Sequence, residues 1–209
     1  MNRFEIALAD VIGEENLTRI QDTKVCIAGA GGLGSNCALH LVRCGFKKLR
    51  IIDFDLVEYS NLNRQFYFVA QVGREKVKAL KENLLLINTD LAIEALSEKI
   101  NQDNVIDYIT GCDVVVEALD NVYSKTILVE ACLDSKKRLV AASGLAGWRN
   151  SGGIKIHCIK NNFYIVGDLV SEAGPACPQL APGVNVAAAM QADVVLGYFL
   201  KQPPGPKKT

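Results

Sequence analysis

The stretch Lys24-Val-Cys-Ile-Ala-Gly-Ala-Gly-Gly-Leu-Gly-Ser35 constrains the fold more than any other in the chain. Its apolar run over 25–28 reads as a buried strand, and a helix is expected from Ser35. Between them lie Gly29, Gly31, Gly32 and Gly34. Gly29, Gly31 and Gly34 keep the G-x-G-x-x-G spacing of a nucleotide-binding turn. Such a turn needs one residue without Cβ to bend, one for close phosphate approach and one for helix–strand packing. The helix that follows offers unpaired N–H groups and a positive dipole end to an anion. Alone, the spacing also fits a plain glycine-rich connection. What strengthens it is Asp53, which ends the next apolar run, Leu49-Arg-Ile-Ile-Asp53, near the ~20-residue offset of an acid that grips ribose hydroxyls.

Around this turn, strand and helix patterns alternate. Two short helices, 4–12 and 14–20, break at Gly13. The first helix after the glycines spans 35–44 and stops at Gly45. Strand 49–53 leads into a polar loop over 55–65, and Gly73 precedes a helix over 74–88 with Val77, Leu80, Leu84 and Ile87 at helical spacing. A strand over 91–96, a short helix capped by Asp103 and ending at 109, and a buried strand over 113–118 follow. Asp120 and Asn121 come next, then a helix over 124–133 and a strand over 139–142. This order predicts an α/β fold, a doubly wound, mainly parallel sheet with right-handed crossovers and helices on both faces. After Gly144 the pattern changes to an antiparallel C-terminal extension, a hairpin of strands 153–159 and 163–166. A Gly/Pro/Ala-rich loop over 171–183 precedes a last apolar helix, 185–200. Residues 1–200 read as one domain and 201–209 as a disordered tail. Ligands of such sheets sit beyond the strands' carboxyl ends, so the glycine turn, Asp53 and Asp120 are expected to share one crevice.

Composition narrows the partners. Lys plus Arg and Asp plus Glu each number 23, for a net charge of zero, which argues against nucleic acid. No apolar run approaches the ~20 residues of a membrane span, and Met1-Asn-Arg-Phe-Glu-Ile has no signal-peptide profile. Seven cysteines form no C-x-x-C pair. An odd count without a secretion signal fits a reducing, cytoplasmic setting.

The polar residues near the expected crevice exceed what a dehydrogenase needs. Ser60-Asn-Leu-Asn-Arg-Gln65 supplies amides and the guanidinium of Arg64, and Lys76 lies in the first turn of the next helix. An arginine and a lysine aimed at one anion suit a nucleotide whose leaving group is pyrophosphate. Asp120 is placed to hold Mg²⁺ through one carboxylate, phosphate oxygens completing the shell. The glycine turn lacks the Gly-Lys-Ser/Thr ending of a P-loop. Each residue also has a plainer reading: Asp53 closing a turn, Asp55 and Glu58 solvating a loop, Arg64 in a surface ion pair, Asp120 capping a helix.

Gly-Ala-Gly-Gly-Leu-Gly, Asp53-Phe-Asp55, Ser60-Asn-Leu-Asn-Arg-Gln65, Gly73-Arg-Glu-Lys76 and Asp120-Asn121 occur in the order and spacing of the ubiquitin-activating-enzyme-like superfamily. Over 20–145 the chain most resembles its bacterial ThiF/MoeB branch, the sulfur-carrier adenylyltransferases. That resemblance implies a Rossmann-like fold and a homodimer that uses ATP and Mg²⁺. The C-terminal Gly-Gly carboxylate of a ubiquitin-fold carrier, of the ThiS type that serves thiamine biosynthesis, becomes an acyl-adenylate with release of pyrophosphate. Carried over by position, Gly29, Gly31, Gly32, Gly34, Asp53, Asp55, Ser60, Asn61, Gln65 and Asn121 bind the nucleotide. Arg64, Lys76 and Asp120 act as the catalytic groups, with Asp120 also the metal ligand. Without the two C-x-x-C pairs of many relatives, no structural zinc is expected. Only Arg3 matches the N-terminal arginine that in relatives reaches a partner subunit's ATP. Cys177 lies near a cysteine used for sulfur transfer in some relatives, and Trp148 and Arg149 are candidates for the border of a tail channel. Two rivals stand beside this reading: the ATP-dependent tRNA threonylcarbamoyladenosine dehydratase of the same superfamily, and an NAD(P)-dependent oxidoreductase.

Overall fold

A computed structural model describes residues 1–149 and 151–200; the expected tail over 201–209 lies outside the described residues. In chain order the elements are α1 (Arg3–Ile12), α2 (Glu14–Asp22), β1 (Lys24–Ala28), α3 (Gly32–Arg43), β2 (Lys48–Ile52), α4 (Lys76–Leu85), β3 (Ala92–Leu96), α5 (Val105–Ile109), β4 (Val114–Glu117), α6 (Val122–Asp134), β5 (Arg138–Ala142), β6 (Lys155–Lys160), β7 (Phe163–Gly167) and α7 (Ala181–Phe199). The strands form one seven-stranded sheet in the order β3-β2-β1-β4-β5-β7-β6. All neighbours are parallel except β6 and β7. The antiparallel extension is therefore one strand: β6 runs out along the edge, and β7 returns parallel to β5.

Period-two alternation builds a core on each face. Val25 and Ile27 of β1 point to the side covered by α2, α3, α4 and α7. Cys26 and Ala28 point to the thinner side, covered by α5 and α6. Small residues let α7 lie against the sheet: Ala187, Ala188 and Ala192 are buried. Truncating a fully buried residue such as Phe46 or Leu80 costs about 3 kcal/mol from lost burial and the cavity left behind.

Two helix starts differ from expectation by three residues or more, and the short helix α5 is preceded by Asn104 at its N-cap position, not Asp103, with no side-chain cap bond. α3 begins at Gly32, because the glycines are already in its first turn, whose N–H groups need no side-chain partner. α7 begins at Ala181; Pro182 reads as a loop residue in sequence but is pre-set for a first helical turn.

The N-terminal helices are pinned at the far end of the sheet. The Glu5 carboxylate, 1% exposed, pairs with Lys47 Nζ at 2.7 Å and accepts from Asn88 Nδ2 at 3.2 Å. Asn2 caps α1 and donates to Asn88 Oδ1 at 2.7 Å. Lys47 precedes β2 and Asn88 precedes β3, so this clamp, and Arg3 with it, sits at the strands' amino ends.

Candidate functional site

Strand order reverses at β1, with β2 on one side and β4 on the other, the topological switch point where such sheets leave a crevice. Beyond the carboxyl ends of β1, β2, β4 and β5 lies a cavity of about 760 Å³. Gly29, Gly31, Gly32, Asp53, Asp55, Arg64, Gln65, Lys76, Asp120 and Asn121 all line it. Gly34, Ser60 and Asn61 do not.

Close approaches hold the glycine turn. Gly29 has φ 97°, and a Cβ there would meet Ala118 O at 2.5 Å. A Cβ on Gly34 would fall 1.8 Å from Gly29 O, so this glycine packs helix on strand. Gly31 is different: the nearest neighbour of an added Cβ is Gln65 Nε2 at 3.9 Å, leaving open space on the cavity side.

Asp53 ties β2 to this turn. Its Oδ2 accepts from Ala30 N at 2.7 Å and its Oδ1 from Asp55 N at 2.8 Å. Burial pushes its carboxyl above the usual range, while Asp55 N–H, Lys76 and Ala30 N–H oppose the shift. Each oxygen keeps a lone pair for a further donor. Lys76 opens α4 at 6% exposure, and its Nζ donates to Asp55 Oδ2 at 2.7 Å. Asp55 is thus the partner that makes a buried ammonium tolerable at this place.

The 60–65 loop is moored to α3. Asn36 Nδ2 donates to Gly32 O and to Arg64 O at 2.7 and 2.8 Å, and Ser35 Oγ accepts from Phe66 N at 3.0 Å. Arg64 Nη1 donates to Ser60 O and to Asn63 Oδ1, neither a carboxylate, so its positive charge stays available to an anion. Buried Gln65 leaves Oε1 without a partner among the described residues. Ser60 and Asn61 serve the loop itself: Ser60 Oγ donates to Glu58 Oε2, and Asn61 Oδ1 accepts from Glu58 N.

Asp120 is exposed just past β4 and makes no hydrogen bond or ion pair among the described residues. The helix cap beside it is Asn121, whose Oδ1 accepts from Ser124 N at 3.1 Å. Lys125 lines the same wall, with Glu117 buried behind it, and both escape motif reading. Glu117 ends β4 at 0% exposure; its Oε1 accepts from Leu119 N at 2.8 Å, and its Oε2 lies 3.1 Å from Lys125 Nζ. Burial raises the Glu117 carboxyl, with Lys125 pulling it down. The available signal is a charged residue closing an otherwise apolar strand, which demands a partner.

Further parts of the wall come from 142–145 and 171–173 with Gln179, and on the β2–β3 side from Phe54, Glu98, Lys99 and Ile100. Asp168 Oδ1 accepts from Val170 N and Ser171 N, and Ser171 Oγ from Ala146 N. Cys177 faces Gly147 from the next loop, and neither it nor the exposed Trp148 and Arg149 lines the cavity. Arg3 is at the sheet's opposite end, out of reach of this chain's own cavity. No helix among the described residues is long and apolar enough to cross a membrane.

The family model described as the ThiF family matches residues 4–209. The chain is 35% identical over 152 residues to "Adenylyltransferase and sulfurtransferase MOCS3" of Anopheles gambiae, covering 69% of this chain and 34% of that protein. It is 31% identical over 144 residues to the tRNA threonylcarbamoyladenosine dehydratase of Haemophilus influenzae, covering 68% of this chain and 55% of that protein. The chain thus spans about a third to a half of these relatives. The structure of the Escherichia coli tRNA N6-threonylcarbamoyladenosine dehydratase in complex with ATP superimposes with a TM-score of 0.81 at 23% identity, covering 94% of this chain and 95% of that one; that likeness bears on the fold.

Proposed function

The chain belongs to the ThiF family, and from that premise we propose that it is an ATP-dependent adenylyltransferase. Its substrate is the C-terminal Gly-Gly carboxylate of a small ubiquitin-fold sulfur carrier of the ThiS type. The observation that carries this reading is the convergence of the glycine turn, Asp53, Arg64, Lys76 and Asp120 on one cavity. An oxidoreductase uses the glycines and Asp53 but leaves the two cations and Asp120 without work.

In this reading the ribose hydroxyls donate to Asp53, and the phosphates lie over Gly31 and Gly32 at the α3 N-terminus. Arg64 and Lys76 face the β- and γ-phosphates. A carboxylate oxygen of the guest attacks the α-phosphorus; the P–O bond to the β-phosphate breaks, and its electron pair leaves with pyrophosphate. The carboxylate needs no base to activate it, so positioning and charge neutralisation supply the catalysis. Asp120 is a hard oxygen donor with no competing partner among the described residues, which fits one carboxylate ligand to Mg²⁺. When bound, Mg²⁺ would neutralise phosphate charge. The proposal includes residues 1–200 as one functional unit, a homodimer and a cytoplasmic setting.

The test is ATP–pyrophosphate exchange with and without a purified Gly-Gly-ended carrier. Exchange that requires the carrier is the expected result. The second reading, the tRNA dehydratase, is favoured by the H. influenzae relative; stimulation of ATP turnover by tRNA instead of by the carrier would establish it. Net charge zero speaks for the carrier, since tRNA binding needs many phosphate contacts.

A further inference from the structure

The cavity has two halves, and the cations assigned so far, Arg64 and Lys76, stand on the glycine-turn half. The other half, beyond β4 and β5, is walled mostly by small residues and backbone, with Lys125 lining it from α6; the cavity's fourth cation, the exposed Lys99, stands at the β2–β3 side with its Nζ 5.7 Å from the centroid of the Phe54 ring. Two carboxylates, Asp120 and Glu172, line this half as well. An anionic guest entering here meets like charge unless a cation compensates.

Lys125 is built for that. Its Nζ is held from two sides: Ala142 O accepts from it at 2.8 Å, and Glu117 Oε2 lies 3.1 Å away. An ammonium has three donors, only one of which is used in a hydrogen bond, so Lys125, which lines the cavity with a side chain 33% exposed, keeps N–H groups for a further acceptor. Glu117 is itself fixed by Leu119 N–H and fully buried, so it orients the ammonium without being reachable by the guest. Beside Ala142 the wall is backed closely by the next loop: a Cβ on Gly144 would lie 2.0 Å from Asp168 Oδ1.

We infer that Lys125 receives the terminal carboxylate of the guest and holds it for attack, with Glu117 as its positioning residue, while Arg64 and Lys76 serve the phosphates. This rests on the adenylation reading. It divides three of the cavity's four cations by substrate: Lys125 for the nucleophile, Arg64 and Lys76 for the nucleotide.

The test compares a purified ThiS-type carrier ending in Gly-Gly as the free acid with the same carrier ending as the amide, each binding measured by fluorescence anisotropy. The wild type is expected to prefer the acid by about tenfold or more, the value of a charge-assisted hydrogen bond. Lys125→Met alone strands a buried carboxylate, so the decisive variant is Glu117→Gln/Lys125→Met, which replaces the pair. There the preference for acid over amide is expected to fall within about twofold, with KM for ATP in exchange changed less than about threefold. Lys125→Arg is expected to restore part of the preference. A double variant that keeps the wild-type preference, or whose KM for ATP rises as much as that for the carrier, overturns the inference while carrier-dependent exchange by the wild type keeps the adenylation reading. A wild type that binds neither carrier form, or responds to tRNA instead, overturns both.

Discussion

The two lysine–carboxylate pairs on the cavity wall are built in opposite senses. In Lys76–Asp55 the lysine is the buried member, 7% exposed, and the carboxylate is 43% exposed. In Lys125–Glu117 the carboxylate is sealed at 0% and the lysine is 33% exposed. The buried member of a pair cannot be left alone, because a desolvated charge has no water to fall back on; the other member can rehydrate. The glycine-turn half therefore fixes its cation and shows an acid at the surface, whereas the β4–β5 half fixes its acid and shows a cation. In the proposed reading, the first half receives the nucleotide and the second the guest's carboxylate.

The sharpest way to break this comparison is Asp120→Ala, at the boundary between the halves. Exchange is expected to fall by about a thousandfold, the upper range for removing one preorganised electrostatic group, with an unchanged thermal midpoint because the side chain is exposed; retained activity would remove Asp120 from the site. Next come the pairs themselves. Asp55→Ala strands a buried ammonium and is expected to cost about 3 kcal/mol in urea unfolding, whereas Lys76→Met leaves a rehydrated acid and costs about 1 kcal/mol or less. The order reverses in the other pair, Lys125→Met costing more than Glu117→Gln; the same order in both would erase the contrast. A smaller effect separates two glycines. Gly31→Ala is expected to weaken ATP binding about tenfold in calorimetry through crowding of the phosphate, with stability held. Gly34→Ala is expected to lower the thermal midpoint instead, since its Cβ would strike Gly29 O.

The smallest expected effect is a pH dependence. Glu117 titrates above its ordinary value in the folded state because it is buried. Between the unfolded and folded values the folded chain binds more protons, so this group's contribution to stability grows as pH falls from neutral towards the ordinary glutamate range. Glu117→Gln lacks that contribution. The wild type is expected to gain stability relative to Glu117→Gln on acidification from pH 7 to pH 5, read as a difference in thermal midpoints.

The glycine-turn half is legible in the sequence, and the other half is not. Gly29–Gly34, Asp53 and Asp120 directly follow strand ends, so local pattern and strand order bring them to one edge, while Arg64 and Lys76 are marked by their motifs in the loop after β2 and at the start of α4. Lys125 looks like any lysine on a helix, and its meaning depends on Glu117 and on Ala142 O from the neighbouring strand. The small-residue wall depends on a loop, 167–173, that returns through Asp168 to Gly144, a contact no spacing encodes. Ser60 and Asn61 differ again: a motif names them, and in the structure their side chains hydrogen-bond within their own loop. Likewise the glycines conceal the start of α3, because a first helical turn needs no particular side chain to form.

α7 braces both halves of the cavity from behind. Its Val184 lies where a Cβ on Gly32 would come within 2.9 Å, and buried Gln191 donates to Glu117 O and Val140 O. During synthesis, the glycine turn, Asp53, Arg64, Lys76 and Asp120 all emerge before α7, so a nascent chain that has not yet reached this helix carries them without the side chains that back Gly32 and Glu117.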